Sequence, residues 1–330
     1  MRLAAVPALL FALAGCSSPP EGPPVELTVP PGAPFREVVD TLHARGLVSR
    51  PGLFRVYARL REYDRRVRAG QYAFPPGASW SRLLTDLTAG RVVTETLTIP
   101  EGFTLKQMAP RIALITRMDA DSVLDLLRRD SMDARWAVPG PGLEGYLFPD
   151  TYRFAPGVPL AEVLRAMVSR YREVWTPDRE TLMDSLGLTE GEVVTLASIV
   201  QAEARLQDEM PLVASVFHNR LSLGYPLQAD PTVLYALGGS RPRLLYAAMD
   251  SVADNPYNTY THPGLPPGPI GAPGLAALDA VLDPADSDFL YFVAHPDGSH
   301  VFSRTLSEHN RAVAEMRRLW ERLRREPTSR

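Results

Sequence analysis

The alternation of apolar and polar positions predicts a strand, a turn and an amphipathic helix three times along the chain. The three copies are LTVPPGAPFREVVDTL (27–42), YAFPPGASWSRLLTDL (72–87) and LTIPEGFTLKQMAPRI (97–112). In each copy a Pro-x-Gly turn follows the strand, because glycine tolerates the turn conformation, and a small or hydroxyl residue after it can cap the helix. Their unequal spacing excludes a solenoid, which needs a fixed period. The copies therefore predict strand-to-helix corners in an α+β fold.

A further helix is predicted between the first two copies, over 50–63, with Leu53, Val56, Tyr57 and Leu60 on one face. The resulting order of strand, helix, helix and strand resembles the LysM-like module of cell-wall proteins, and we assign it to 27–95. The alternative is a small α+β packing domain that binds nothing.

One larger mixed α+β domain is predicted for 96–330. Apolar periodicity predicts helices over 104–115, 120–129, 160–174, 178–186, 189–206, 210–223 and 231–237. A Pro/Gly-rich loop (261–274) follows, and then a helix from near Pro273. Alternation around Asp297-Gly298 predicts a hairpin over 289–303. Thr305 and Glu308 form a capping box that opens a last helix, which ends near Arg325.

The N-terminal residues have the pattern of a secretion signal. An apolar run of about 13 residues is too short for the ~20 that span a bilayer, but it has the length of a signal-peptide core. LAGC at 13–16 resembles the lipobox of bacterial lipoproteins, which implies lipidation of Cys16 and removal of the residues before it. The alternative is an ordinary signal or a truncated membrane anchor with an incidental cysteine. The proline-rich stretch 17–26 then reads as a semi-rigid linker.

Composition is that of a folded protein outside the nucleic-acid-binding class. The 330 residues are 45% hydrophobic and 22% charged, and their length predicts about two domains. A net charge of −3 argues against a nucleic-acid partner, which would require a basic surface. The spacing of histidines, cysteine and acids fits no metal site, and no glycine-rich phosphate loop follows a strand. We therefore expect no metal and no cofactor.

A carboxylate interrupts the apolar face of the helix that contains LASIVQAEA (196–204). At ~100° per residue, Glu203 falls between Ile199 and Val200 on the face centred on Leu196, whereas Gln201 points away. Three ordinary explanations are a buried ion pair with an arginine such as Arg220, a frayed last turn, and a partner helix that leaves the side chain wet. A functional explanation is a general acid, because burial raises the pKa of a carboxyl group.

Four long motifs resemble the endolytic murein transglycosylase family (MltG, YceG-like). They are LEGYLFPDTYRF (143–154), the stretch from LASIVQAEA to VLYALG (196–238), NPYNTYTHPGLPPGPIGAP (255–273) and FLYFVAHPDGSHVFSRTLSEHN (289–310). The resemblance implies a peptidoglycan lyase that cuts nascent glycan strands internally between MurNAc and GlcNAc and leaves 1,6-anhydro-MurNAc ends. It also implies that Glu203 is catalytic, since Glu203 matches the second acidic position of the family's A-S-I-x-E-x-E pattern. The first acidic position is Gln201 here.

The remaining motifs supply candidates for substrate binding. These are Gln228, Asp230, Asn258, Tyr260, Glu144 and Asn310. Ordinary roles compete with binding: Asp230 can be the N-cap of the next helix, Glu144 can hold a loop, and His309 and Asn310 can anchor the hairpin to the last helix.

The sequence is compatible with two other functions. One is a muramidase-type hydrolase with Glu203 as acid and Asp230 as base or nucleophile. The other is a catalytically silent peptidoglycan-binding lipoprotein. The expected partners are glycan strands, peptidoglycan synthases and a membrane reached through the N-terminal anchor. We expect the cell envelope as the location, facing the periplasm from the plasma membrane, with the outer membrane as the alternative.

Overall fold

The computed structural model describes residues 23–90, 94–129, 132–239 and 246–325. The predicted signal peptide, its Cys16 and most of the predicted linker lie outside these residues. Within them, no helix combines the length and the apolar character needed to cross a membrane. The chain divides into two compact units, Met1–Thr94 and Glu95–Arg330.

The N-terminal unit has the predicted order of strand, helix, helix and strand, followed by one more helix. Its elements are β1 (Val25–Val29), α1 (Phe35–Ala44), α2 (Pro51–Leu60), β2 (Gly70–Phe74) and α3 (Trp80–Ala89). Strands β1 and β2 pair antiparallel, with Leu27 opposite Tyr72. Both of these side chains are buried in the core that the helices cover.

The buried face of α2 is not the predicted one. Leu53, Val56 and Leu60 are exposed, and Phe54 and Ala58 are buried instead. Phe54 packs edge-on against Trp80, with 5.5 Å between ring centroids. Tyr57, the fourth residue of the predicted face, is partly buried against this core, with 6.0 Å between its ring centroid and that of Trp80.

The described part of the C-terminal unit is a mixed α+β domain with two small antiparallel sheets. Its strands are β3 (Glu95–Thr98), which pairs with β4 (Thr151–Phe154), and the hairpin β5 (Tyr291–Ala294) and β6 (His300–Ser303). Its helices are α4 (Leu105–Thr116), α5 (Ala120–Leu127), α6 (Met132–Trp136), α7 (Leu160–Val174), α8 (Pro177–Leu186), α9 (Glu190–Glu203), α10 (Met210–Ser222), α11 (Asp230–Ala236), α12 (Tyr246–Asp250), α13 (Leu275–Leu282) and α14 (Leu306–Arg325). A 3₁₀ helix, Gln207–Glu209, lies between α9 and α10.

The three predicted strand-to-helix corners are confirmed. Gly32, Gly77 and Gly102 adopt φ of 75°, 74° and 75°, a region that favours glycine, and a helix follows each. Side chains cap two of these helices: Ser79 accepts from the N–H of Arg82, and Thr104 forms a capping box with Gln107.

Helix α9 is the central element of the larger core. All residues from Val193 to Val200 are buried, and α9 packs against α10, α11 and α13. The interpretation of Leu196, Ile199 and Val200 as one apolar stripe is therefore wrong, because a helix covered on every side has no separate apolar face. The helix also ends three residues before the predicted limit, and this makes Glu203 its last residue.

Candidate active site

Glu203 lies where α9 ends and the chain turns into an extended conformation at Ala204. Its side chain is half-buried, and the surrounding protein raises its pKa from 4.5 to about 8. The main cause is desolvation; the negative charge of Asp230 adds to it, and the positive charge of Arg220 opposes it. The C-terminal end of a helix also disfavours a negative charge. Glu203 is therefore a carboxyl group that keeps its proton near neutral pH.

Arg220 does not form the ion pair that would explain Glu203 without function. Its guanidinium donates to the backbone oxygens of Leu227 and Leu290, at 2.6 and 2.7 Å, and lies over the ring of Tyr291 at 5.3 Å. No salt bridge to Glu203 occurs among the described residues. The positive charge of Arg220 thus lowers the pKa of Glu203 without a direct ion pair. Its hydrogen bond to Leu290 ties α10 to the start of the hairpin.

Asp230 and Tyr260 form a polar pair beside Glu203. The hydroxyl of Tyr260 donates to Oδ1 of Asp230 at 2.6 Å. Asp230 is the first residue of α11, not its cap: Ala229 occupies the N-cap position and no side chain caps this helix. The capping explanation for Asp230 is therefore wrong. The exposed Asp230 carboxylate instead raises the pKa of Glu203.

Two neighbouring side chains hold the loop that carries Tyr260. Asn258 is buried; its amide donates to the backbone oxygens of Met249 and Val252, and its Oδ1 accepts from the N–H of Tyr260. Thr259 accepts from the N–H of Ala229 at 3.0 Å. The side chain of Asn258 thus positions Tyr260 and does not face a cleft.

Gln228 has a backbone conformation that sequence reasoning did not anticipate. Its φ is +50°, a left-handed value that is uncommon outside glycine, and its N–H donates to the backbone oxygen of Thr259. The side chain is exposed next to Asp230. Strain of this kind costs about 1–3 kcal/mol and concentrates at functional sites.

Glu144 belongs to a separate buried cluster. Its Oε1 accepts from the N–H of Leu105 at 2.9 Å, at the start of α4, and its Oε2 accepts from the hydroxyl of Tyr235 at 3.2 Å. Desolvation, opposed by these hydrogen bonds, raises the pKa of Glu144 to about 7. Glu144 could bind substrate or hold a loop in place. The geometry favours the structural role, because its two oxygens accept hydrogen bonds from the start of α4 and from α11.

The last helix places His309 beside Tyr291 and Arg220. The His309 ring stacks on Tyr291 with 5.3 Å between centroids, on the ring that Arg220 also contacts. Burial and the positive charge of Arg220 lower the pKa of His309. Asn310 is exposed on the outer side of the helix.

Sequence reasoning missed the buried pair formed by Glu209 and His300. Nδ1 of His300 lies 2.8 Å from Oε2 of Glu209, whose Oε1 accepts from the His300 N–H. Glu209 ends the 3₁₀ helix that follows Glu203, so the pair fixes the hairpin to this segment. Only the folded chain brings these residues together, since 91 positions separate them.

Gln201 contacts the end of the proline-rich loop. Its Oε1 accepts from the N–H of Gly274 at 2.9 Å, where α13 begins. The same loop is held by Ser198, whose hydroxyl accepts from the N–H of Ile270. Gln201 therefore acts as a structural contact of α9.

These features define an α+β protein with one desolvated carboxylic acid at a helix end, flanked by a second carboxylate and a tyrosine. In the part of the chain that the structure describes, no three histidine, cysteine or acidic side chains are grouped as metal ligands. A desolvated carboxyl group of this kind can donate a proton and take one back.

Comparison with known proteins places this chain in a family. A model of the YceG-like family matches residues 27–315. The endolytic murein transglycosylase of Bacillus subtilis is 32% identical over 87% of this chain and 83% of its own length. The enzyme of the same name from Streptococcus pneumoniae is 31% identical over 88% of this chain, which spans 58% of that protein. A crystal structure of a yceG-like protein from Listeria monocytogenes covers 88% of this chain at 30% identity, with a TM-score of 0.60. The chain belongs to the YceG-like family.

Proposed function

We propose that this chain is a peptidoglycan lytic endotransglycosylase, a lyase with Glu203 as its acid and base. The observation that carries the proposal is a carboxyl group with a pKa of about 8 and no ion-pair partner among the described residues. The names of the relatives support the same activity. General acid–base catalysis contributes about 10²–10⁴-fold to such reactions.

One carboxyl group suffices for the reaction. Protonated Glu203 donates to the glycosidic oxygen between MurNAc and GlcNAc, and the bond from this oxygen to C1 of MurNAc breaks. The Glu203 carboxylate then takes the proton of the C6 hydroxyl of the same MurNAc, whose oxygen attacks C1 and closes the 1,6-anhydro ring. Neither water nor a second nucleophile is consumed, and Glu203 ends protonated, ready for another cycle.

The neighbours of Glu203 have supporting roles in this proposal. Asp230 keeps Glu203 protonated by charge repulsion, and Tyr260 orients Asp230. The exposed side chains of Gln228 and Asn310 are available to sugar hydroxyl and acetamido groups. Asn258 and Glu144 act by holding the loop and helix on which the site is built.

A hydrolase is the second candidate, because the Asp230 carboxylate acts electrostatically on Glu203. In a hydrolase one carboxyl group donates the proton and the other activates water or attacks the sugar. Hydrolysis adds one water to the product, whereas ring closure does not. Mass spectrometry of muropeptides from digested sacculi separates the two, since anhydro ends support the lyase and reducing ends support the hydrolase.

Glu203→Gln tests the assignment in the same assay, with Gln201→Ala as a matched control on the same helix. The glutamine variant loses the proton that catalysis needs, so we expect at least a hundredfold loss of released product. Release at the wild-type rate by Glu203→Gln would contradict the proposal and favour a silent glycan-binding protein or a different acid.

The location proposed for this enzyme is the cell envelope, on the periplasmic side of the plasma membrane or in the outer membrane. Lipidation at Cys16 would hold the chain there. The strand–helix–helix–strand order of the N-terminal unit supports a LysM-like role in holding glycan. Peptidoglycan synthases that deliver nascent strands are the proposed protein partners.

A further inference from the structure

Helix α2 presents an apolar ridge to solvent. Leu53, Val56 and Leu60 are 55%, 57% and 80% exposed, and they lie within about 60° of one another around the helix. They are all the large apolar side chains that the described part of the N-terminal unit leaves exposed. They lie on one helix face, opposite the buried Phe54 and Ala58, and such clustering of exposed apolar side chains indicates an interaction surface.

The segment of chain that contains the ridge is rich in arginine. Between Arg45 and Arg68 the chain has eight arginines and two acidic residues, Glu62 and Asp64, although the whole protein has a net charge of −3. Arg59 is 85% exposed on one side of the ridge. Its contact with Asp64, at 3.9 Å, is a surface ion pair of little strength.

Arg61 lies on the other side of the ridge. Its guanidinium lies over the ring of Tyr57, 5.3 Å from the centroid. The arrangement of a leucine-rich ridge between arginines is typical of helices that lie in the interface of an anionic bilayer. Sugar-binding surfaces instead offer concave sites with aromatic platforms, whereas the three exposed side chains of the ridge are aliphatic.

We infer that the ridge of Leu53, Val56 and Leu60, with Arg59 and Arg61 beside it, is a docking surface for a bilayer of anionic phospholipids. The inference uses the proposed function in one respect, the lipid anchor that keeps the N-terminal unit near the membrane. Residues 17–24 would span at most about 28 Å between a lipidated Cys16 and β1. The leucines enter the acyl boundary while the arginines bind lipid phosphates. Docking would orient the N-terminal unit on the membrane from which nascent glycan emerges.

Vesicle flotation tests this surface in full-length chains that all contain Cys16→Ser, so that no acyl chain contributes. The probes are vesicles of phosphatidylcholine alone and vesicles with one-third phosphatidylglycerol. The chain with Cys16→Ser alone, which serves as the wild type of this experiment, is expected to bind the anionic vesicles at least about tenfold more strongly than the neutral ones. Arg59→Glu/Arg61→Glu is expected to remove this preference, and Leu53→Ser/Leu60→Ser to reduce anionic binding about tenfold.

The matched control is Arg153→Glu/Arg165→Glu, which changes the same charge at exposed arginines of the other unit. It should retain the preference for anionic vesicles. Equal binding by the wild type to both vesicles, or equal losses in the control and in Arg59→Glu/Arg61→Glu, would overturn the inference. A third outcome would also overturn the inference: the protein binds sacculi but no vesicles, and Leu53→Ser/Leu60→Ser abolishes the binding to sacculi. The ridge would then be a glycan-binding surface.

Cleavage of soluble glycan strands separates this inference from the proposed function. Arg59→Glu/Arg61→Glu should cleave such strands at the wild-type rate, because neither arginine belongs to the active site. A catalytically intact Glu203→Gln would refute the proposed function and leave the vesicle result unaffected.

Discussion

The charge on Glu203 works against folding, and Glu203→Gln should reveal this as a pH-dependent gain in stability. The folded chain holds the Glu203 proton more tightly than the unfolded chain, since its pKa rises from 4.5 to about 8. The neutral form therefore favours folding fully below pH 4.5, and this advantage is lost as the pH rises through 8. Glutamine does not ionise, so its contribution to the free energy of unfolding does not change with pH.

The size of the effect follows from the pKa shift. One pKa unit corresponds to about 1.4 kcal/mol, so wild type at pH 7 has lost about 3 kcal/mol that the glutamine variant keeps. At pH 5 the corresponding loss is only about 1 kcal/mol. For a unit of this size we expect Tm differences of about 6–12 °C at pH 7 and about 2–4 °C at pH 5.

Thermal unfolding of both proteins at pH 5, 6, 7 and 8, followed by circular dichroism, measures this difference. Glu321→Gln, at an exposed site on α14, supplies the baseline for replacing a surface glutamate. A Tm difference that stays constant from pH 5 to pH 8 would refute the reasoning. Glu203 would then be solvated like a surface carboxylate, and desolvation would not explain how it keeps a proton for catalysis.

Three other predictions concern the site and its anchor. Asp230→Asn removes a negative charge near Glu203, so it should lower the Glu203 pKa and move the alkaline limb of the pH–rate profile to lower pH; an unmoved limb would contradict this coupling. Gln201→Ala leaves the N–H of Gly274 without its acceptor and should cost about 1 kcal/mol in urea unfolding, with kcat unchanged. A large loss of kcat would assign Gln201 to the chemistry. Cys16→Ala should abolish labelling of the protein by a palmitate analogue in cells, and labelling that persists would exclude Cys16 as the lipidation site.

Local sequence determined the elements that depend on neighbours a few residues apart. The capping boxes of α4, α9 and α14 form between residues three positions apart. The one predicted at Thr305 and Glu308 is confirmed, and so is the β5–β6 hairpin around Asp297-Gly298. The glycine corners at 32, 77 and 102 also follow from the sequence, because a positive φ is a property of one residue. The candidate acid itself was predicted from its family motif.

Only the tertiary structure decided what surrounds these elements. The burial of Phe54 on α2 involves a ring contact with Trp80 of α3, and the burial of α9 on all sides depends on helices elsewhere in the chain. The same holds for the acidity of Glu203. Apolar neighbours in the sequence indicated its burial, but the charges of Asp230 and Arg220 act on it through space and have no signal in the sequence around position 203. Arg220 was a plausible ion-pair partner in the sequence; in the fold its hydrogen bonds go to backbone oxygens instead, one of them 70 positions away, and the carboxyl group keeps its proton.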